Sequence, residues 1–430
     1  MKHQDERVGR LLQAVASARQ QGNQAEERRL IDAILAIDPD NPHANNARGM
    51  AALAARDFTD AASHFRRAAE ADPTEPALWM NLARAQREQG DAAGERQSLD
   101  RVFAIDQRHF MGRLRSAELH ERLGETAHAV EAWQAVLSLS AGLDPVPPAL
   151  VDVLAHAHAF VAEQTQAFAE EVEQGMADAR ADVPPAALRR FDACLDNAFG
   201  RRRIYRNECS GVHYPFLPAY EFFDRDHFPW LAELEANTET IRTEFEALLA
   251  RSQPMRPYVA MDRGTPENKW TPLDNSLDWS AYFLWEYGVA NAEAHALCPR
   301  TVKVLEAIPR AEIPGRGPTV FFSILRPHTR IPAHTGVTNT RTIIHLPLIV
   351  PEGCGFRVGG ETRSWRVGEA FAFDDTIEHE AWNDSDQLRA VLIFDVWNPF
   401  ISPAERDLLC RYFALADASS RNPARERGGM

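Results

Sequence analysis

The sequence predicts a multidomain α + β protein: a solenoid of helix pairs at the N-terminus, then a sandwich or closed barrel of short strands. Two observations carry this reading. Turn and acidic residues recur at an interval of 34 residues through the first third of the chain, and from Thr319 onward helix-length periodicity gives way to short runs rich in Phe, Val and Ile. With 430 residues the chain has room for two or three domains and a large core.

The interval is marked by Asp38-Pro39, Asp72-Pro73 and Asp106, and again by the turn pairs Gly22-Asn23, Arg56-Asp57, Gly90-Asp91 and Gly124-Glu125. A 34-residue period is that of tetratricopeptide (TPR) helix pairs. Ala61 and Phe65, like Ala129 and Trp133, stand four apart. That spacing sets a small and a large residue on one face of the second helix, against which the next pair packs. Four units are legible between about residues 9 and 142, the first being the least regular, as a terminal cap is. Such arrays are curved and so generate a concave groove; residues 1–144 are therefore expected to dock a partner protein or the substrate, the alternative being a stacked spacer that adds only stability.

Pro145, Pro147 and Pro148 break the array. A helical stretch over 150–181 and a further helix at about 186–199 make 145–209 a helical connector. A helix at about 231–250 follows. The runs 319–325, 342–350, 355–358, 370–373 and 388–396 have strand length and are separated by Pro, Gly and Asn-Asp, as in a sandwich or closed barrel. Residues 411–430 read as a polar C-terminal tail.

A formal charge of -15 and a pI near 5.5 argue against nucleic acid as a partner, because phosphate binding needs basic surface. The polar N-terminal segment lacks the apolar core of a signal peptide, and no membrane anchor is visible, so a cytoplasmic location is expected. Cys194, Cys209, Cys298, Cys354 and Cys410 are odd in number and widely spaced, which fits free thiols better than a disulfide frame or a zinc site.

The chemistry-bearing words lie in the β region. Ile331-Pro-Ala-His334-Thr-Gly336 is followed, 45 residues after the histidine, by Phe373-Asp-Asp-Thr-Ile-Glu-His379-Glu. Oxygen-activating enzymes hold Fe(II) with two imidazoles and usually one carboxylate on one face of the ion, leaving the opposite positions for an oxo-acid and O2. The carboxylate normally sits two residues after the first histidine. Here that position is Gly336, which has no side chain to ligate, so the site offers iron His334 and His379 alone.

The ordered series His334-Thr-Gly-Val-Thr-Asn-Thr-Arg341-Thr-Ile-Ile-His345-Leu, Pro351-Glu-Gly-Cys, Trp365, the His379 word with Trp382, Arg389 and Phe394-Asp-Val-Trp397 resembles the aspartyl/asparaginyl β-hydroxylase family over roughly residues 210–405. Animal members of that family likewise carry Gly in place of the acidic ligand. The resemblance selects a double-stranded β-helix, a relative of the jelly roll, for an oxygenase domain over residues 210–410. It also implies Fe(II) and 2-oxoglutarate, with O2, and hydroxylation of the β-carbon of Asp or Asn in a peptide, a protein or a small molecule.

The resemblance further assigns roles. Arg389 matches the arginine that pairs the distal carboxylate of 2-oxoglutarate, a group that must be paired when buried. On a strand it shares a face with Val391 and Ile393, opposite Leu388 and Leu392. Ser323 matches a serine that hydrogen-bonds the same carboxylate, and His345 matches a position near the metal-proximal carboxylate. Trp279 resembles a tryptophan lining the pocket, with core packing as its alternative. Arg341, Ile343 and His345 alternate along one strand face. Ile343 stands where the animal enzymes have a second arginine, and Arg341 is expected to compensate in part or to face the substrate. Asp375 and Glu378 read as turn or supporting groups rather than ligands. Lys269, Arg326 and Arg330 are candidates for meeting an acidic substrate, or solvated charges.

Two other readings stand beside this one. A small residue at the Gly336 position also occurs in 2-oxoglutarate enzymes that halogenate their substrate. A TPR scaffold with a degenerate, non-catalytic barrel is the reading that Ile343 favours.

Overall fold

Antiparallel helix pairs build the first of two units into which the chain divides, residues 1–189 and 190–430; the computed structural model describes residues 2–419. Helix α1 (Lys2–Gln20) pairs with α2 (Gln24–Leu35), α3 (Pro42–Ala54) with α4 (Phe58–Ala71), α5 (Pro76–Gln89) with α6 (Ala92–Ile105), and α7 (Phe110–Arg122) with α8 (Thr126–Ser140). Each pair turns on a left-handed residue, Gly22, Arg56, Gly90 or Gly124, so the 34-residue interval is a backbone interval. The residue after each turn caps the second helix in the first three pairs, where the Asn23, Asp57 and Asp91 side chains accept a hydrogen bond from a backbone N–H. Ala61, Phe65, Ala129 and Trp133 are buried between helices as their spacing requires.

The connector needs correction. Helix α9 (Pro148–Gly175) buries Leu154 and Ala157 against Leu114, Trp133 and Val136, and so closes the array instead of leading away from it. The cause is the apolar spacing of Leu154, Ala157 and Val161 on one helix face. Shorter helices α10 (Ala177–Ala181) and α11 (Pro185–Ala198) follow.

The second unit contains helices α12 (Leu231–Ala236), α13 (Thr238–Ala250), α14 (Ala292–Leu297) and α15 (Pro299–Glu306), and two antiparallel sheets. The strands are β1 (Arg256–Pro257), β2 (Trp279–Glu286), β3 (Val289–Ala290), β4 (Val320–Leu325), β5 (Thr329–His334), β6 (Arg341–Ile349), β7 (Cys354–Val358), β8 (Glu361–Ser364), β9 (Phe371–Phe373), β10 (His379–Asn383) and β11 (Arg389–Trp397). The larger sheet runs β1-β2-β4-β11-β6-β9 with β3 beside β2, and the smaller runs β5-β10-β7-β8. Their facing sides share one core, in which Trp279, Leu325 and Val391 meet Ile331, Phe356 and Ala381. The outer side of the larger sheet is covered by helices: Phe245 of α13 lies 4.9 Å from Phe322, and Leu305 of α15 joins the same cluster. This is the expected double-stranded β-helix. Strand β11 is apolar on both faces because it is packed on both sides, which isolates Arg389 as a charge in the interior.

The C-terminal segment also departs from expectation. Helix α16 (Pro403–Ala418) runs through the start of the supposed polar tail and buries Leu409 and Phe413 with Ala311, Ile313 and Ile401. Its signals are a capping box between Ser402 and Glu405 and the four-residue spacing of Leu409 and Phe413. The remainder of the tail lies outside the described residues.

Candidate active site

Strand pairing brings the two motif histidines together. His334 ends β5 and His379 begins β10, the two are direct partners in the ladder, and their ring centroids lie 4.1 Å apart. Each ring is oriented by its own chain: Nδ1 of His334 lies 2.8 Å from the Pro332 carbonyl, and Nδ1 of His379 lies 3.0 Å from that of Ile377. Donation from Nδ1 to a carbonyl fixes the tautomer and leaves the Nε2 lone pair for a metal. Burial pushes the His334 pKa down to about 4 and that of His379 well below its usual value, so both rings are neutral, the form that ligates. The donor set fits Fe(II).

Asp375 stands beside Gly336. The Gly336 N–H donates to the Asp375 carbonyl at 2.6 Å, and a Cβ on Gly336 would run into the Asp375 carboxylate. Thus the volume that a ligand side chain at position 336 would need is filled by another acid. Burial, reinforced by neighbouring Asp374, raises the Asp375 carboxyl to about 7, and its Oδ1 has no hydrogen-bond partner among the described residues. Glu378 points elsewhere, pairing with Arg357 at 3.0 Å and Arg203 at 3.5 Å.

The same cavity contains Arg389, Ser323, His345, Trp279 and Arg341. Arg389 is 1% exposed, packs over the Trp365 ring, and has neither Nε nor Nη1 hydrogen-bonded. Burial alone pushes its pKa down to about 10. An unanswered buried guanidinium is a cradle for a planar anion. Ser323 is fully buried opposite Val391, two strand positions from the Arg389 pairing, and its Oγ accepts from Trp279 Nε1 at 3.2 Å. His345 stacks on Trp365, and its buried Nδ1 has no partner among the described residues.

Arg341 corrects an expectation. It lines the cavity, but its Nη1 donates to Asp395 at 2.5 Å and to the Arg316 carbonyl at 3.1 Å. Asp395, 2% exposed, answers the charge, so Arg341 enters the cavity already paired. Of the exposed candidates, Arg330 pairs with Asp384 and Arg326 faces Asp278, both away from the cavity, while Lys269 donates to the Ala333 carbonyl beside the first histidine.

Sequence reading missed several supports. Trp270 meets His334 edge-on at 5.0 Å, and Tyr258 stacks on Trp279 at 4.0 Å. Asn207 Nδ2 donates to Asp374 at 2.7 Å and to Thr376 at 2.9 Å, while the Ser210 and Gly211 N–H groups donate to the Gly336 and Val337 carbonyls. Residues 207–211 thereby strap both histidine loops. No local pattern announces them, since their partners lie more than a hundred residues away.

Comparison with known proteins gives two family matches and three relatives. A model of the aspartyl/asparaginyl beta-hydroxylase family matches residues 235–399, and a tetratricopeptide model matches residues 52–111. The chain is 36% identical over 174 residues to the human aspartyl/asparaginyl beta-hydroxylase, covering 40% of this chain and 22% of that protein. It is 35% identical over 202 residues to an ornithine lipid ester-linked acyl 2-hydroxylase of Rhizobium tropici, covering 46% of this chain and 67% of that one. It is also 35% identical over 212 residues to the human aspartate beta-hydroxylase domain-containing protein 2, covering 46% and 53%. The chain spans less than a quarter of the length of the human and mouse hydroxylases it matches.

Proposed function

The chain belongs to the aspartyl/asparaginyl β-hydroxylase family, and from that membership we propose that it is a hydroxylase of unactivated C–H bonds working with Fe(II), 2-oxoglutarate and O2. The observation that supports this most is Arg389, a buried cation whose Nε and Nη1 have no partner among the described residues and which lines the cavity that also holds the paired histidines. In this reading His334 and His379 would hold the iron, Arg389 with Ser323 would hold the distal carboxylate of 2-oxoglutarate, and His345 would serve the metal-proximal carboxylate. The bound iron and cosubstrate supply the oxidant that replaces C–H by C–OH. The protein supplies the rest. Carbonyl bonds aim both imidazoles, Trp270, Phe356 and Phe373 exclude water around them, and Asp375 sits over Gly336 as an acid able to hold a proton or a water beside the metal.

Asp375 and Arg389 bear on the two alternatives. A halogenase needs open space for halide above the small residue, and the Asp375 carboxylate fills it. A degenerate scaffold has no use for an unpaired buried Arg389, which costs stability without a ligand.

The target we favour is the β-carbon of Asp or Asn in a peptide, protein or small molecule, as the names of the human relatives suggest. A second reading, an acyl chain, is favoured by one observation: Ile343, Phe283, Phe321 and Ile393 line the cavity, and Arg341 is already paired with Asp395. We further propose that the repeat groove docks the target or a partner, and that the setting is cytoplasmic, consistent with five free cysteines. No described helix is long and apolar enough to cross a membrane. The test is incubation of anaerobically purified protein with Fe(II), 2-oxoglutarate and air against Asp- and Asn-containing peptides and N-acyl amines. Gain of one oxygen atom by a peptide supports the first target and by an acyl chain the second; gain by neither, in iron-loaded protein, counts against the hydroxylase reading.

A further inference from the structure

We propose that the turn between α7 and α8 is a second metal site, in which His120, Glu125 and His128 hold a divalent transition-metal ion of the zinc type. One ligand atom from each of the three lies within 4.8 Å of the others, and among the described residues no other three His, Cys, Asp or Glu side chains converge so closely. His120 Nδ1 is 2.6 Å from Glu125 Oε2, and the His120 and His128 rings face each other at 5.2 Å with 21° between their planes. The backbone holds this arrangement: Gly124 is left-handed, and the Glu125 N–H donates to the His120 carbonyl at 2.9 Å.

The other repeats give an internal control. Thirty-four residues earlier the equivalents of His120, Glu125 and His128 are Gln86, Asp91 and Gly94. There Asp91 caps its helix by accepting from the Gly94 N–H at 2.9 Å, as Asp57 does from Asp60 one repeat before. Glu125 makes no such cap bond and turns instead toward His120 and Arg96. The repeat fold therefore uses a capping Asn or Asp at this turn and needs neither histidine, and the fourth unit has turned its acid from capping to the imidazoles.

The chemistry fits a borderline-soft cation. Glu125 brings a carboxylate and the two histidines bring imidazoles, a mixed oxygen and nitrogen donor set. Arg96 meets both carboxylate oxygens, at 2.7 and 2.8 Å, yet a carboxylate has about four lone-pair directions and can serve a metal as well. Two imidazoles and one carboxylate are a common zinc donor set. His120 and His128 also line a surface hollow with Ser116 and Glu131, through which water can complete the coordination. A bound ion would clamp the end of α7 to the start of α8.

The test counts Zn2+ on the full-length protein by equilibrium dialysis and calorimetry. Wild type should bind one more equivalent at low micromolar concentration than His120→Asn/His128→Asn. Because paired barrel histidines would also take up zinc, the count is repeated in His334→Ala/His379→Ala, which should retain the repeat-site equivalent. His128 is exposed, so His128→Asn alone keeps the fold and should weaken that equivalent by about tenfold or more. Glu125→Gln, neutral but of the same shape, should weaken it too. Equal zinc counts for wild type and the His120/His128 variant, or no zinc-dependent rise in the unfolding midpoint of the barrel-histidine variant, would overturn the proposal.

Discussion

Replacing Arg389 by Met distinguishes a ligand clamp from a structural charge, because the two roles predict opposite changes in stability. Arg389 is 1% exposed, has two guanidinium nitrogens without a partner among the described residues, and burial pushes its pKa from the ordinary arginine value down to about 10. That difference corresponds to about 3 kcal/mol against the charged form in the ligand-free fold. The depressed value means that this cost is present throughout the range below about pH 10, hence at neutral pH. Methionine fills similar volume without the charge, and exchanging buried ions for apolar groups stabilises by about 1–4 kcal/mol. Ligand-free R389M should therefore melt a few degrees above wild type, at about 2–4 °C per kcal/mol for a domain of this size. A 2-oxoglutarate carboxylate without its partner should lose about 3–5 kcal/mol, a rise in Kd of about 10²–10⁴-fold. Scanning fluorimetry with and without 2-oxoglutarate, alongside calorimetric titration, measures both. A variant that is less stable than wild type and binds 2-oxoglutarate unchanged would refute the argument.

Three further expectations follow from the same geometry. Gly336→Asp should reduce iron binding and turnover, since its side chain enters the volume of the Asp375 carboxylate, and adding Asp375→Gly should recover part of the loss; a single variant as active as wild type would mean that the coordination has been misread. In metal-free protein, the raised Asp375 pKa means the folded state holds a proton that the unfolded chain releases above pH 3.8, so its contribution is lost as pH rises toward about 7. The stability of wild type relative to Asp375→Asn should thus fall between about pH 4 and pH 7, by up to a few kcal/mol, as read from urea unfolding; a pH-independent difference would contradict the assignment. Deleting residues 1–189, the observed unit, should leave turnover of a short peptide or acyl probe intact while weakening use of the physiological target through lost tethering, and equal kinetics on that target would argue against docking.

What the sequence made legible was local or periodic. The 34-residue interval is a left-handed turn repeated in the backbone, and the small and large residues four apart form the contacts between helices. The strands at 320–325 and 389–397 were readable because both faces are buried and their apolar runs are unbroken. Strands β5 and β10, which carry the histidines, were less so: His334 and His379 sit at strand ends among polar neighbours, and only pairing across 45 residues makes them one site. The same limit applies to Asn207, whose importance lies in partners at 374 and 376, and to Asp395, whose ion pair with Arg341 spans 54 positions of the chain. Helix α9 was misjudged because prolines before it signal a break in the chain but say nothing of packing afterwards. The place of Asp375 over Gly336 could be found only in three dimensions.

The central claim, that this cavity couples 2-oxoglutarate oxidation to O2 through His334 and His379, is tested most directly by the fate of isotopically heavy O2. Iron-loaded wild type given 2-oxoglutarate and heavy O2 should form succinate carrying one heavy oxygen atom, while His334→Ala and His379→Ala should form none. Unlabelled succinate, or labelled succinate undiminished in either variant, would contradict the account.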